Sequence, residues 1–246
     1  MISFYILQII LNIILFKYLN KLSQLFNIYD YPDRIKPHKS KTPVLGGVYL
    51  YINFIFFFLY SILFNKQLLI DSFFLYDSKQ IICFVFTITS LFFVGLYDDK
   101  YRLEWYTKLS LTFAILLMMV TMDEGLKVSN ITFSFYDLKI NLNRFSIIFS
   151  VLCLLTYLNL INMFDGINLL SSINFISILV LLFCFSLFNL QILSNFVIFF
   201  LFFALYNKKG LLFLGDSGTL FLGFILGYFL LKIHNIENIN SDVIFF

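Results

Sequence analysis

The sequence predicts an all-α polytopic membrane protein of about eight transmembrane helices with a small hairpin on its outer face, and three observations predict it. Of the 246 residues, 61% are hydrophobic and only 13% are charged, whereas soluble domains run nearer a quarter charged. Eight stretches offer close to the 20 apolar residues that a spanning helix needs. Basic residues fall unequally on the two sets of connections those spans create. The composition excludes a disordered chain and an ordinary water-soluble globule, and a net charge of +3 is too small an excess for a nucleic-acid partner.

The spans are expected at 2–19, 45–65, 80–97, 108–122, 145–163, 169–188, 191–206 and 218–234. The first follows Met1 directly and its basic residues, Lys17 and Lys21, come after the apolar run, which argues against a cleaved signal peptide. The second opens at Gly46 and Gly47, the third ends in Asp98 and Asp99, and the fifth ends in a row of amides. Residues 123–144 alternate apolar and polar around 131–141, the pattern of a short outer hairpin, read as a connector. Cys83, Cys153 and Cys184 each lie within an apolar run, without CxxC or Cys/His spacing, and read as small hydrophobes packed in the bilayer. Eight spans leave no room for a soluble unit, so residues 1–246 form a single transmembrane domain.

One set of connections, with its flanks, carries eleven of the 17 basic residues. By the positive-inside rule that set is cytoplasmic. It comprises four loops, and each holds polar groups that are costly beside hydrocarbon. The first, YDYPDRIKPHKSKTPVLGG, gathers Arg34, Lys36, His38, Lys39 and Lys41 into a basic cluster suited to phosphate groups, and Gly46 and Gly47 permit close backbone approach. The second, GLYDDKYRLEWYTK, places Asp98 and Asp99 at a helix mouth, two hard carboxylates of the kind that serve divalent-metal chemistry on phosphates. The third, NLINMFDGIN, repeats Asn159, Asn162 and Asp165 every three residues along one helix face, with Gly166 as a stop. The fourth, NKKGLLFLGDSGTLFLGFILGYF, puts Asp216 and Ser217 at a helix start, a carboxylate metal ligand beside free backbone N–H groups. Each loop also has a plainer reading, respectively a topology-setting basic patch, solvated carboxylates, an interhelical polar contact with a C-cap, and an N-cap. Gly223 and Gly227 form a GxxxG pair suited to close helix packing.

In this order and on one side, the loops resemble those of the polyprenyl-phosphate N-acetylhexosamine-1-phosphate transferases of glycosyltransferase family 4, which include phospho-N-acetylmuramoyl-pentapeptide transferase and the undecaprenyl-phosphate N-acetylglucosamine-1-phosphate transferases. The residues that carry the resemblance are the Arg/Lys/His loop running into Pro43 and Gly46-Gly47, Gly95 with Asp98-Asp99, Asn159-x-x-Asn162-x-x-Asp165-Gly166, and Gly215-Asp216-Ser217-Gly218. The resemblance implies a magnesium-dependent enzyme, with manganese as an alternative ion. In the implied reaction a polyprenyl phosphate attacks the β-phosphorus of a UDP-N-acetylhexosamine and UMP is released, the first step of cell-wall or surface-polysaccharide synthesis. It also implies roles: Asp216 and Asn162 as metal ligands, Asp98 and Asp99 positioning or deprotonating the lipid phosphate, Asp165 and Asn159 on the sugar nucleotide, and Arg34, Lys36, His38 and Lys39 on phosphates. The expected place is the cell inner membrane, with the active-site loops cytoplasmic.

The sequence departs from the family pattern in two places. Asn168 and Leu169 stand where the family has a second Asp and Gly. Family members continue past the Gly-Asp-Ser helix into further spans and a cytoplasmic loop with an Arg and a His-x-His-His motif, which these 246 residues are expected to lack, and His234 is expected on the opposite face from the four loops. Two other classes compete with an enzyme. A truncated, inactive relative would serve as an interaction subunit or be a pseudogene product. A transporter would require mid-span charges or broken helices in paired halves, and the acidic residues cluster at span ends instead.

Overall fold

A computed structural model describes residues 2–30, 41–165, 169–184, 190–237 and 239–242. Among them, nine α-helices run in the order α1 (Ile2–Phe26), α2 (Gly46–Phe64), α3 (Lys66–Phe73), α4 (Ser78–Tyr101), α5 (Trp105–Met122), α6 (Ser146–Phe164), α7 (Leu170–Cys184), α8 (Leu190–Lys208) and α9 (Gly215–Glu237). Two short antiparallel strand pairs accompany them. β1 (Tyr29–Asp30) pairs with β2 (Thr42–Pro43), and β3 (Asn130–Phe133) pairs with β4 (Tyr136–Asn141).

Each of the eight expected spans coincides with an α-helix over its described residues, with 185–188 of the sixth lying outside them, and the chain is an all-α membrane protein. The helices α2, α4, α5, α6 with its preceding turn, and α9 are long and apolar enough to cross a bilayer; α1, α7 and α8 contribute shorter apolar stretches, Phe4–Leu19, Ile173–Phe183 and Leu193–Lys208. The short helix α3 was not expected. Its residues KQLLIDSF follow Asn65, in the connection between the second and third expected spans.

The helix α9 is the axis of the bundle. Every residue from Gly215 to His234 except Asp216 is buried, and α4, α6 and α2 pack around it. A helix that is apolar all round has this position open to it, and at about 1.5 Å per residue its 23 residues are long enough for the hydrocarbon layer. Lipid competes equally for apolar surface, so the helices are held by close packing and dispersion instead. Aromatic rings fill the seams: Phe54 meets Phe221 edge-on at 5.4 Å, and Phe84 meets Phe224 at 5.7 Å and Tyr228 at 4.7 Å. The GxxxG pair does what its spacing suggests. A Cβ on Gly223 would lie 2.6 Å from Leu158 Cα, and one on Gly227 would lie 3.0 Å from Leu154 Cδ2, so α6 and α9 touch along this stripe.

One end of the bundle carries the hairpin β3–β4, at the residues where alternation placed it. Thr132 N donates to Ser241 Oγ at 3.0 Å and Ser134 N to Asp242 Oδ1 at 3.0 Å, so the last described residues clasp the hairpin. His234 Nε2 lies 2.9 Å from the same Ser241 Oγ. This end is closed by a buried ion pair, Lys232 Nζ to Asp123 Oδ2 at 2.8 Å. Gln80 Nε2 and Gly125 N also donate to Asp123, at 3.2 and 3.0 Å, and Lys232 reaches Phe74 O at 3.4 Å. The pair thereby ties α4, α5, α9 and the end of α3 together.

Removing one partner would strand the other charge in a dry interior. Asp123→Ala should therefore destabilise the fold by about 3–5 kcal/mol, read as a large fall in apparent melting temperature in detergent. A melting temperature within a degree of the native chain would show that the pair carries no such load.

Candidate active site

The other end of the bundle gathers the end of α4, the start of α5, the end of α6 and the starts of α2 and α9. Four acidic residues meet there, Asp98, Asp99, Asp165 and Asp216.

The start of α9 organises them. A helix begins with backbone N–H groups that lack intrahelical partners, and here Asp216 N donates to Asp99 Oδ1 at 2.7 Å, Ser217 N to Asp99 Oδ2 at 3.0 Å and Gly215 N to Asp165 Oδ2 at 3.2 Å. These amides are thus not open to a phosphate, as the sequence had suggested; two carboxylates from other helices occupy them. Nor is Asp216 or Ser217 the N-cap, because the helix already begins at Gly215. Gly215 has φ +74°, and a Cβ there would lie 2.4 Å from Val44 Cγ1 and 2.8 Å from both Asp99 oxygens. Glycine meets the left-handed backbone and the close carboxylate at once.

The start of α2 is seated against the same segment. Gly46 N donates to Phe213 O at 2.8 Å and Gly47 N to Leu214 O at 2.9 Å, while Phe213 N donates to Pro43 O at 3.0 Å. A Cβ on Gly47 would fall 2.3 Å from Gly218 N, and one on Gly95 would fall 2.5 Å from Ser217 Cα. The close approach expected of Gly46 and Gly47 is thus an approach to the start of α9.

Asp98 and Asp216 share one cation. Lys108 Nζ lies 2.8 Å from Asp98 Oδ2 and bonds Asp216 Oδ1. Asp98 Oδ1 also accepts Leu103 N at 2.6 Å, fixing the tight turn at Arg102 (φ +54°) that folds α5 back on α4. By sequence Lys108 is one of the eleven basic residues on the cytoplasmic set of connections, with no role of its own. Its place after DDKYRLEWYT, in the first turn of a returning helix, is the signal that could have found it.

Asn162 approaches the same corner: Thr219 Oγ1 lies 3.3 Å from Asn162 Oδ1 and 3.2 Å from Asp216 O. Asn159, a turn earlier and exposed, has no bond to the cluster among the described residues. Arg34, Lys36, His38 and Lys39 lie outside the described residues, as do Gly166 and Asn168. The pairing of β1 with β2, Tyr29 opposite Pro43 and Asp30 opposite Thr42, fixes both ends of the basic loop beside the segment that leads into α9. Lys41, at one of those ends, lies over the Tyr29 ring at 4.6 Å.

The cluster is electrostatically unbalanced. Burial first, then the Asp99, Asp216 and Asp30 carboxylates, push Asp165 up to about 8, against the pull of the Gly215 amide. Among the described residues, no three His, Cys, Asp or Glu side chains gather as a ready cation cage. The donors fit magnesium nonetheless, because that ion takes hard oxygens, keeps several waters and binds through one or two carboxylates together with substrate phosphates. Asp216, bonded to Lys108 through Oδ1, and the Asn162 carbonyl are the groups that could hold it.

The signature of Glycosyl transferase family 4 matches residues 81–234, a stretch that contains Asp98, Asp99, Lys108, Asn162, Asp165 and Asp216. No curated protein matches the chain. With well over half of its length matched, and the acidic corner inside the match, the chain belongs to glycosyl transferase family 4, the polyprenyl-phosphate hexosamine-1-phosphate transferases.

Proposed function

We propose that the chain transfers N-acetylhexosamine 1-phosphate from a UDP-sugar to a polyprenyl phosphate and releases UMP, as the first step of cell-wall or surface-polysaccharide synthesis. We place the acidic corner at the cytoplasmic face of the cell inner membrane. The observation that carries this reading is the Asp98–Lys108–Asp216 chain at the start of α9, within the family match.

In the reaction, an oxygen of the lipid phosphate forms a bond to the β-phosphorus, and the bond from that phosphorus to the oxygen bridging the α-phosphate breaks, leaving as UMP. A phosphate monoester has its second pKa near 6, so the nucleophile is already largely dianionic at neutral pH. The protein's task is to bring two anions together and to offset charge on the pyrophosphate. Magnesium, when bound, would supply most of that offset at the phosphate oxygens.

The residues divide this task. Asp216 and Asn162 would hold the ion, Lys108 offers its ammonium to the phosphates, and Asp98 keeps that ammonium in place. Asp165 serves the nucleotide. Asp99 is a positioning residue in this account, since both its oxygens bond amides of α9.

Two variants test this division in membranes supplied with UDP-N-acetylglucosamine and undecaprenyl phosphate. Asp216→Asn should lower magnesium-dependent UMP release by about a hundredfold or more with little change in apparent melting temperature; retained activity would remove Asp216 from the metal site. Asp99→Ala strands two buried N–H groups, so it should destabilise the fold by about 1–3 kcal/mol as well as lowering activity. If Asp99→Ala instead keeps the native melting temperature and loses only activity, Asp99 works on substrate. No UMP release from the native chain would favour the inactive interaction subunit.

A further inference from the structure

Away from the acidic corner, α1, α2 and α8 meet through a polar ladder inside the bilayer. On α1, Gln8 and Asn12 are fully buried; Asn53 on α2 and Asn195 on α8 are buried as well. Tyr49 OH donates to Asn12 Oδ1. Two turns along each helix, the Phe4 and Phe57 rings are in contact at 5.9 Å. The helices α1 and α2 are therefore antiparallel, with residue 12 opposite 49 and residue 4 opposite 57. The rung between them sets Gln8 opposite Asn53.

One N–H of each amide on that rung is already used. Gln8 Nε2 points to Asn195 O at 3.5 Å, and Asn53 Nδ2 donates to Tyr49 O at 3.0 Å. The two side-chain carbonyls, Gln8 Oε1 and Asn53 Oδ1, are buried with no hydrogen-bond partner among the described residues. Turning either amide over would not cure this, because its oxygen would then face the backbone carbonyl that its nitrogen now satisfies. Asn53 lies seven residues into α2, roughly 10 Å from the helix start, at a depth where no bulk water reaches.

We propose that Gln8 and Asn53 form a binding site for one internal water molecule, which donates its two O–H groups to their side-chain carbonyls and joins α1 to α2 in mid-membrane. Two buried acceptors on one rung call for a ligand with two donors, and a buried water normally makes two to four such bonds. A metal cation does not suit the site, because no carboxylate stands there to offset its desolvation. The water makes the seam that attaches α1 a hydrated one, in contrast to the dry aromatic contacts around α9.

X-ray radiolytic footprinting of the native chain in detergent tests this, because hydroxyl radicals formed from a bound water oxidise side chains that bulk solvent cannot reach. Tyr49, on the adjoining rung and only 3% exposed, should be oxidised about tenfold faster than Tyr228, which is fully buried with its hydroxyl on Phe73 O. A Gln8→Leu/Asn53→Leu variant should bring Tyr49 down to the Tyr228 rate. Equal rates for the two tyrosines in the native chain would overturn the proposal whether or not the variant folds. A density map finer than about 2.3 Å gives a second reading: a peak within hydrogen-bond distance of both carbonyls supports it, and direct contact between the amides contradicts it.

Discussion

The site at the start of α9 depends on one interaction, the grip of the Asp99 carboxylate on the Asp216 and Ser217 amides. It joins the last turn of α4 to the first turn of the central helix and sets where the Asp216 side chain emerges. The first turn of a helix carries a partial positive charge and unpartnered donors, so a carboxylate from a neighbouring helix is a strong partner for it. Asp165 takes the remaining amide at Gly215, and the end of α6 is fastened to the same point. Three helices are thus registered against each other at the place where the reaction is proposed to occur.

That grip requires backbones to come very close, and the small residues of the motifs supply the room. Gly47 and Gly95 bring α2 and α4 against Ser217 and Gly218, and Gly215 makes space for the Asp99 oxygens. The family's Gly-Asp-Ser-Gly pattern is in this chain largely a packing device, and the proposed mechanism gives chemistry to one of its side chains, Asp216. Lys108 then balances Asp98 and Asp216. In the proposed mechanism the same ammonium is offered to the phosphates. At the far end of α9, the Lys232–Asp123 pair holds the same helix, so the central element is pinned by charge at both ends and by rings and glycine between them.

Much of the fold was legible because apolar runs of spanning length leave the chain few alternatives, and the outer hairpin was legible because its alternation has a period of two. The acidic corner was legible for the same reason, since Asp98, Asp99, Asp165 and Asp216 are polar outliers at span ends. What could not be read was partnership between distant elements. The capping of α9 by Asp99, 117 residues away, leaves no trace in local sequence, and the α9 amides therefore seemed free. Lys108 looked like one more basic flank until the turn at Arg102 brought it back over Asp98. The amides at Gln8, Asn12 and Asn53 are diluted in a hydropathy average by the apolar residues around them, although burying such a group unpaired costs about 2–7 kcal/mol. The short helix α3 was missed because a single amphipathic turn or two has no spanning-length signal.

The central claim is that the start of α9 is a divalent-cation site built on Asp216 and held in shape by Asp99. Titration of the detergent-solubilised chain with manganese, followed by electron paramagnetic resonance in the presence of a UDP-sugar, tests it most directly. The account predicts a single saturable manganese site in the native chain that Asp216→Asn abolishes. Equal manganese binding by the native and Asp216→Asn chains would contradict it.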